Sequence, residues 1–305
     1  HNQAGPSCAQ ILAWFGADVI KLEEPGQGDV ARSNMRDMPD SDSLFFLMLN
    51  ANKRSLTVNL KTAQGKEIFT ALLKTSDVLV ENFGPGALDR LGFGFEALQQ
   101  LNPRLIYTSI KGFGTFGPYS SFKSYEPVAQ ATGGDMSTTG TPETPPFVNG
   151  AAIGDSGTGM HAVVGVLAAL EQRHQTGKGQ QVEVSMQDAV FNLMRVRIRD
   201  HQRFGVTVER AGNHLGSNVP SNCYKCYPGG LNDYVYITAQ RQMWLALLRA
   251  MGREDMIEDP RFTTPEARVE NAGAVDSAIE EWTSQLSKHD VMEILGAAGV
   301  PCGAV

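Results

Sequence analysis

Cysteine is scarce in this chain. Cys8, Cys223, Cys226 and Cys302 are the four in 305 residues, too few to staple a fold of this size with disulfides. Cys223 and Cys226 form a lone Cys-x-x-Cys with no second ligand pair, so packing is expected of them and a metal site is not. No stretch approaches the roughly 18 consecutive apolar residues of a membrane-spanning helix. Positive charge is also in deficit. Lys and Arg number 26 against 33 Asp and Glu, which leaves a formal charge of -7 and excludes nucleic acid or an acidic membrane as the main partner. An anionic ligand must then meet a locally basic pocket. There is no internal repeat. These absences describe an ordinary globular protein, expected in the reducing cytoplasm.

What is present is an alternation of strand and helix patterns over the first 115 residues. "ADVIKLE", "SLTVNL", "DVLVENF" and "RLIYTSIKGFG" read as strands. "QILAWFG", "TAQGKEIFTALLKTS" with Thr62 at its start, "PGALDRLG" and "FEALQQLN" read as helices between them. Strands spaced by such helices imply right-handed βαβ units and one parallel sheet. Residues 116–150 are rich in Gly, Pro, Ser and Thr and read as a long loop. A strong helix follows, with Met160, Val163, Val164, Leu167 and Leu170 at helical spacing, Asp155 or Ser156 as its N-cap, and Gly177 near its end. "QQVEVSM" returns as a strand and "DAVFNLMRVRIRDHQR" as a helix. From about residue 206 the sequence is turn-rich, gives one strand in "DYVYITA", and is then helical to the end. The expected architecture is α/β. It comprises a Rossmann-like large domain over 1–205 and a smaller α+β domain over 206–305.

Several short motifs compete for the chemistry. Gly154-Asp155-Ser156-Gly157 looks like the serine-protease signature, but Ser156 precedes a helix in an α/β chain, and none of the six histidines has a protease-like context. Helix capping is the plainer use of both polar residues. "GFGTFG" at 112–117 matches Gly-x-Gly-x-x-Gly after a strand, yet Pro118 follows where a dinucleotide site requires a helix. Lys61, Asn82, Gly84, Arg90 and Lys123 lie near strand ends or helix starts, where α/β sheets bind ligands and helix N-termini favour anions. Together they suggest a phosphate-bearing ligand; singly, each reads as a solvated surface group.

The order of longer segments is more specific. "QAGPSCAQILAWFGADVIKLEEPGQGD", "NANKRSLTVNLKTAQGK", "DVLVENFGPGALDRLG", "LNPRLIYTSIKGFG", "GAAIGDSGTGMHAVVGVLAALEQRHQTGKGQQVEVSMQDAV" and the closing "GVPCG" resemble the family III CoA-transferases, of CaiB/BaiF type, across essentially the whole chain. Within that family, "MQDAVFNLMRVRIRDHQR" is most similar to the branch that moves CoA from formyl-CoA to oxalate. The family's polypeptides carry a strand before the first glutamine motif and a segment that returns to the large domain. This chain, opening at His1, is therefore expected to belong to a longer one.

The resemblance implies that Asp155 is the nucleophile. Its carboxylate would attack an acyl-CoA thioester to give a mixed anhydride, and then hold CoA as an aspartyl thioester. A helix N-terminus would keep that carboxylate ionised, and Gln3 would donate to developing oxyanions. CoA contacts are implied at Ala4; at Val58, Asn59, Leu60 and Lys61; at Asn82, Phe83 and Gly84; at Arg90; and at Phe122, Lys123, Ser124 and Tyr125. Glu126 would line the acid site, together with Gly216 and Ser217 of a loop over 215–219 that keeps one glycine of the family's run. Glu24 and Asn34 stand where the formyl-CoA branch has an arginine and a tryptophan. The substrates implied are an acyl-CoA, formyl-CoA or succinyl-CoA, and a small carboxylic acid such as oxalate, with no permanently bound cofactor and no metal. The assembly implied is an interlocked homodimer. Two alternatives differ in class. An α-methylacyl-CoA racemase shares the fold, but its Gly-His-Asp segment reads Ser124-Tyr125-Glu126 in this chain, without an imidazole to exchange the α-proton. A catalytically idle CoA-binding subunit would bind CoA and transfer nothing.

Overall fold

Short β-branched runs flanked by amphipathic helices build parallel sheets in the first part of the chain. The structure is a computed structural model that describes residues 1–214, 216, 218–240 and 242–305. Two units form by contact: 1–139 with 146–209, and 140–145 with 210–305. In chain order the first unit holds α1 (Ala4–Trp14), β1 (Val19–Glu23), α2 (Leu44–Asn50), β2 (Lys53–Thr57), α3 (Ala63–Thr75), β3 (Val78–Glu81), α4 (Ala87–Arg90), α5 (Phe95–Leu101) and β4 (Ile106–Lys111). It continues with α6 (Glu126–Gly133), α7 (Asp135–Thr138), α8 (Ser156–Thr176), β5 (Gln181–Ser185), α9 (Met186–Met194) and α10 (Arg199–Phe204).

All the strand pairing in this unit is parallel, but it falls into two sheets where one is expected from the sequence. β1 pairs with β2, from Val19 opposite Lys53 to Glu23 opposite Thr57. β3, β4 and β5 form a second sheet with β4 in the middle. Each residue of β4 is buried, as a central parallel strand covered on both faces requires. Thr62 caps α3 by accepting from the Gly65 N–H at 3.0 Å. α8 ends at Gly177, left-handed with φ 72°.

The 116–150 segment is not a bare loop. It carries α6 and α7, whose few apolar residues give no clear helical period. The helix expected over 188–203 is broken between α9 and α10. On α8 the apolar residues and the buried face coincide only in part: Val163 is buried and Leu170 packs against the core. Met160, Val164 and Leu167 are 52%, 68% and 44% exposed, whereas Thr158, Gly159, Ala162, Val166 and Ala169 are buried. Small residues lie inward because α1 packs closely along α8. A Cβ at Gly159 would sit 2.9 Å from Ser7 Cβ and 3.0 Å from the Ala4 carbonyl oxygen. The core of this unit joins Cys8 and Leu12 of α1, Ile110 of β4, Ala129 of α6, Val166 of α8 and Val190 of α9.

The second unit is built on an antiparallel sheet of β6 (Ser221–Lys225), β7 (Tyr234–Thr238) and β8 (Cys302–Ala304), with β7 central. α11 (Gln242–Met251), α12 (Pro265–Glu270), α13 (Ala272–Thr283) and α14 (Lys288–Ala297) accompany it. β6 lies inside the turn-rich segment, and β8 closes a region that reads as helical throughout. Tyr224, Ile237, Leu247, Leu248, Ile279 and Leu295 are its fully buried core. Among the described residues no helix is long and apolar enough to cross a membrane.

Candidate active site

The residues singled out from sequence gather at one helix end. α8 begins directly after Asp155, and α1 brings Gln3 and Ser7 against its first turn. Gln3 Nε2 donates to Ser156 Oγ at 3.0 Å, and the Ser7 and Ser156 hydroxyls lie 3.3 Å apart. From the other side, α6 presents Glu126. Its Oε1 accepts the Gly154 N–H at 2.9 Å, and its Oε2 accepts the Asp155 N–H. Gly154 is required there: a Cβ would lie 2.8 Å from the Glu126 carbonyl oxygen and 2.9 Å from Ala129 Cβ.

Asp155 stands at the N-cap position of α8, as expected, but its side chain does not cap the helix. Its backbone is in the right-handed helical region, φ -90° and ψ -67°, and its side chain makes no cap hydrogen bond. The Ala152 carbonyl already takes the N–H groups of Ser156 and Gly157, so the end is satisfied without it. The carboxylate is left half-buried and accepts no hydrogen bond among the described residues. Nor does the helix end hold it strongly ionised, as expected from the sequence. Burial, and next the charge of Glu126, push its pKa up to about 7. An ionised carboxylate that is poorly solvated and unpaired is a competent nucleophile.

The other predicted residues follow the carboxyl ends of strands, as ligand-binding loops of α/β sheets do. After β2, the Val58 N–H donates to the Glu23 carbonyl at 2.8 Å, Asn59 Oδ1 accepts the Lys61 N–H, and Lys61 Nζ pairs with Glu24 at 3.1 Å. After β3, Asn82 exchanges hydrogen bonds with His1, Phe83 stacks on the His1 ring, and Gly84 is open to solvent. Ala4 is buried in α1. Arg90 donates to the Pro85 carbonyl at 3.2 Å. Phe122 packs with Phe113 and Tyr119, Ser124 lies against Gly112 at the end of β4, and Lys123 and Tyr125 are exposed. Glu126 is an anchor for backbone amides rather than an open wall. Gly216 is an exposed residue of the second unit with φ 58°, and Ser217 lies outside the described residues.

A family model described as CoA-transferase family III matches residues 1–305. The chain belongs to this family. Its similarity to the formyl-CoA:oxalate CoA-transferase of Streptomyces avermitilis is 54% identity, over 100% of this chain and 77% of the relative. The protein of the same name from Escherichia coli O157:H7 is 48% identical, over 99% and 77%. Among solved structures, a CAIB/BAIF family protein from Brucella suis superposes with TM-score 0.89 at 33% identity, over 100% of this chain and 81% of that one. A Mycobacterium tuberculosis protein gives 0.84 at 30%, over 100% and 79%.

This CoA-transferase also holds two polar networks that sequence reading does not single out. Beneath the 82–84 loop, Lys111 Nζ contacts both oxygens of Glu81, at 2.8 and 2.9 Å, and donates to the Phe83 carbonyl at 2.9 Å. Tyr107 and Ser109 complete the Glu81 carboxylate, and Glu81 and Lys111 are both buried. Alternation along β4, with polar residues at 107, 109 and 111, is the signal that points to it. In the other network, Asp29 accepts the Asn2 N–H at 3.0 Å and pairs with Lys21, while its own N–H reaches Glu23. Glu23 is forked by Arg32. The second network ties the segment before Gln3 to β1. As a family III CoA-transferase, the enzyme acts on CoA thioesters.

Proposed function

We propose that the enzyme transfers CoA from formyl-CoA to oxalate through a covalent aspartyl intermediate on Asp155, in the cytoplasm and as a homodimer. The observation that carries this reading is the Asp155 carboxylate itself: half-buried, without a hydrogen-bond partner among the described residues, and held by its own backbone on Glu126. The names of relatives at 48–54% identity supply the donor and the acceptor.

One Asp155 oxygen attacks the formyl carbonyl carbon. The C–S bond breaks and CoA leaves as thiolate, giving an aspartyl-formyl anhydride. The thiolate then attacks the Asp155 carboxyl carbon, formate departs, and an aspartyl-CoA thioester remains. Oxalate repeats the two steps in reverse, yielding oxalyl-CoA and free Asp155. No proton is consumed, and the intermediates lie close in energy to the thioester. The Gln3 amide, whose Nε2 sits on the hydroxyl adjacent to Asp155, donates to the oxyanions. CoA lies along Ala4 and the 58–61, 82–84 and 122–125 segments, with Lys61, Arg90 and Lys123 as its cations. Glu126 flanks the acid.

Four unpaired cysteines fit a reducing compartment. The exposed Met160, Val164 and Leu167 along α8 fit burial against a second subunit. The deciding experiment supplies formyl-CoA and oxalate and follows oxalyl-CoA by mass spectrometry, with hydroxylamine added to trap acyl groups. A hydroxamate at Asp155, formed only with acyl-CoA present, is expected. Turnover with no mark on Asp155 sinks the reading.

A further inference from the structure

One side chain outside the motif organises the loop that bears Asp155. Gln130 is fully buried on α6, one turn beyond Glu126. Its Nε2 donates to Glu126 Oε1 at 2.7 Å and to the Asn149 carbonyl at 3.1 Å, and it lies 3.3 Å from the Ala151 carbonyl. Its Oε1 accepts the Asn149 N–H at 2.8 Å. A primary amide satisfies this arrangement because it offers donors and an acceptor at one end. A buried amide of this kind is strongly oriented, since each partner left unmade would be an unsatisfied polar group.

We infer that Gln130 is a positioning residue for the transfer reaction. It locks the Glu126 carboxylate on one side and the 149–151 backbone on the other, so that the Gly154 and Asp155 amides are held where α8 begins. The inference rests on Asp155 being the nucleophile. The chain of contacts runs from Gln130 to Glu126 Oε1, from the same carboxylate to the Gly154 and Asp155 N–H groups, and from there to the reacting side chain. Both ends of the 149–155 loop are thereby fixed by one α6 face. Glu126 is the charged neighbour whose field acts on Asp155. Loosening Gln130 therefore costs the loop its registration.

The test uses the full chain with Gln130→Met, which keeps the bulk and removes the hydrogen bonds, and Gln130→Glu, which keeps the acceptor and places a second carboxyl against Glu126. Formyl-CoA and oxalate are the substrates. For Gln130→Met, kcat is expected to fall about 10- to 100-fold, the scale for a misplaced reacting group, with KM for formyl-CoA within about twofold. A merely structural role would not separate kcat from KM in this way. Hydrogen exchange over 150–156 accelerates while 162–170 stays protected. A folded Gln130→Met with wild-type kcat and exchange overturns the inference. Should neither variant fold, wild-type exchange decides: Gly154 and Asp155 amides that exchange like an open loop overturn it, and protected ones support it. The nucleophile reading fails separately, by a missing hydroxamate at Asp155 in the wild type, and that result leaves the exchange measurement intact.

Discussion

Asp155 offers its backbone N–H to Glu126, the same carboxylate whose charge raises the pKa of the Asp155 side chain. One neighbour thus fixes the position of Asp155 and adds to the larger effect of burial on its basicity. Attack on a thioester requires the ionised form, and the pKa lies at about 7. The single-turnover rate is therefore expected to rise about tenfold per pH unit below 7 and to level off above it. Glu126→Gln removes the negative charge, so the limb moves to lower pH. It also gives up a carboxylate acceptor, so the plateau falls. A flat rate between pH 5 and 8 in the wild type, or a limb that moves upward in Glu126→Gln, contradicts this account.

The two polar residues of the motif divide their roles. Asp155→Ala is expected to abolish oxalyl-CoA formation while leaving CoA affinity nearly unchanged, because the segments proposed to bind CoA follow other strands. Ser156→Ala removes the hydroxyl that receives the Gln3 amide. That bond and the 3.3 Å one with Ser7 are lost, both neutral and each worth about 0.5–1.5 kcal/mol. The rate is expected to fall less than about tenfold. Isothermal titration with CoA, beside the turnover assay, separates binding from chemistry. A dead Ser156→Ala that still binds CoA would return the chemistry to the serine.

Much of the first unit is legible from local pattern. Thr62 followed by an amphipathic run predicts α3 and its cap, and Gly177 predicts the end of α8. What is not legible depends on partners distant in sequence. On α8, Val163 is buried as its spacing predicts, but Met160, Val164 and Leu167 are exposed, and Gly159 lies against the backbone of α1. The parallel pairing divides into two sheets, which strand patterns alone do not reveal. Residues 140–145 join the second unit through Arg210, which donates to the Thr141 and Thr144 carbonyls, partners far away along the chain. At the site, the sequence motif supplies Asp155. The anchoring role of Glu126 and the raised pKa emerge only when α6 is folded against the loop.

The raised pKa has a thermodynamic consequence. An unfolded Asp155 ionises near its ordinary value of 3.8, whereas the folded chain keeps the proton up to about 7. Between those values the native state binds more protons than the unfolded one, so this residue's contribution to stability declines as pH rises and is constant above 7. Asp155→Asn escapes that loss. At pH 8 it is expected to be more stable than the wild type, by about 2 kcal/mol after allowance for partial exposure, and at pH 4 the difference vanishes. Urea titrations at the two pH values measure it. Equal stability at pH 8 would show that the carboxylate is better solvated than its surroundings imply.

The Glu81–Lys111 pair beneath the 82–84 loop is buried on both sides. Lys111→Met leaves a buried carboxylate without its cation and frees the Phe83 carbonyl. The expected cost is about 3–5 kcal/mol of stability, with a raised KM for the CoA substrate as the loop loosens. The double variant Glu81→Leu, Lys111→Met removes both charges and should recover part of the stability. It should not recover the KM, because the carbonyl stays unanchored. Recovery of both in the double variant would show that the loop's position does not depend on Lys111.

At Gly159 α1 and α8 are in close contact, which links packing to chemistry. A methyl group there would meet Ser7 Cβ at 2.9 Å and the Ala4 oxygen and Cys8 nitrogen at 3.0 Å. Two of those three neighbours are backbone, so they cannot rotate aside, and α1 must move as a body. Gln3 sits immediately before α1 and moves with it, away from Ser156 and the oxyanion position. Gly159→Ala is therefore expected to lower stability by about 1–3 kcal/mol, the range for overpacking, and to lower kcat with little change in KM. Val163→Ala supplies the control, since it destabilises α8 by a cavity without pushing α1. It should keep wild-type kcat at a comparable loss of stability. If the two variants lose activity equally, the effect follows stability alone and the link from Gly159 to Gln3 is wrong.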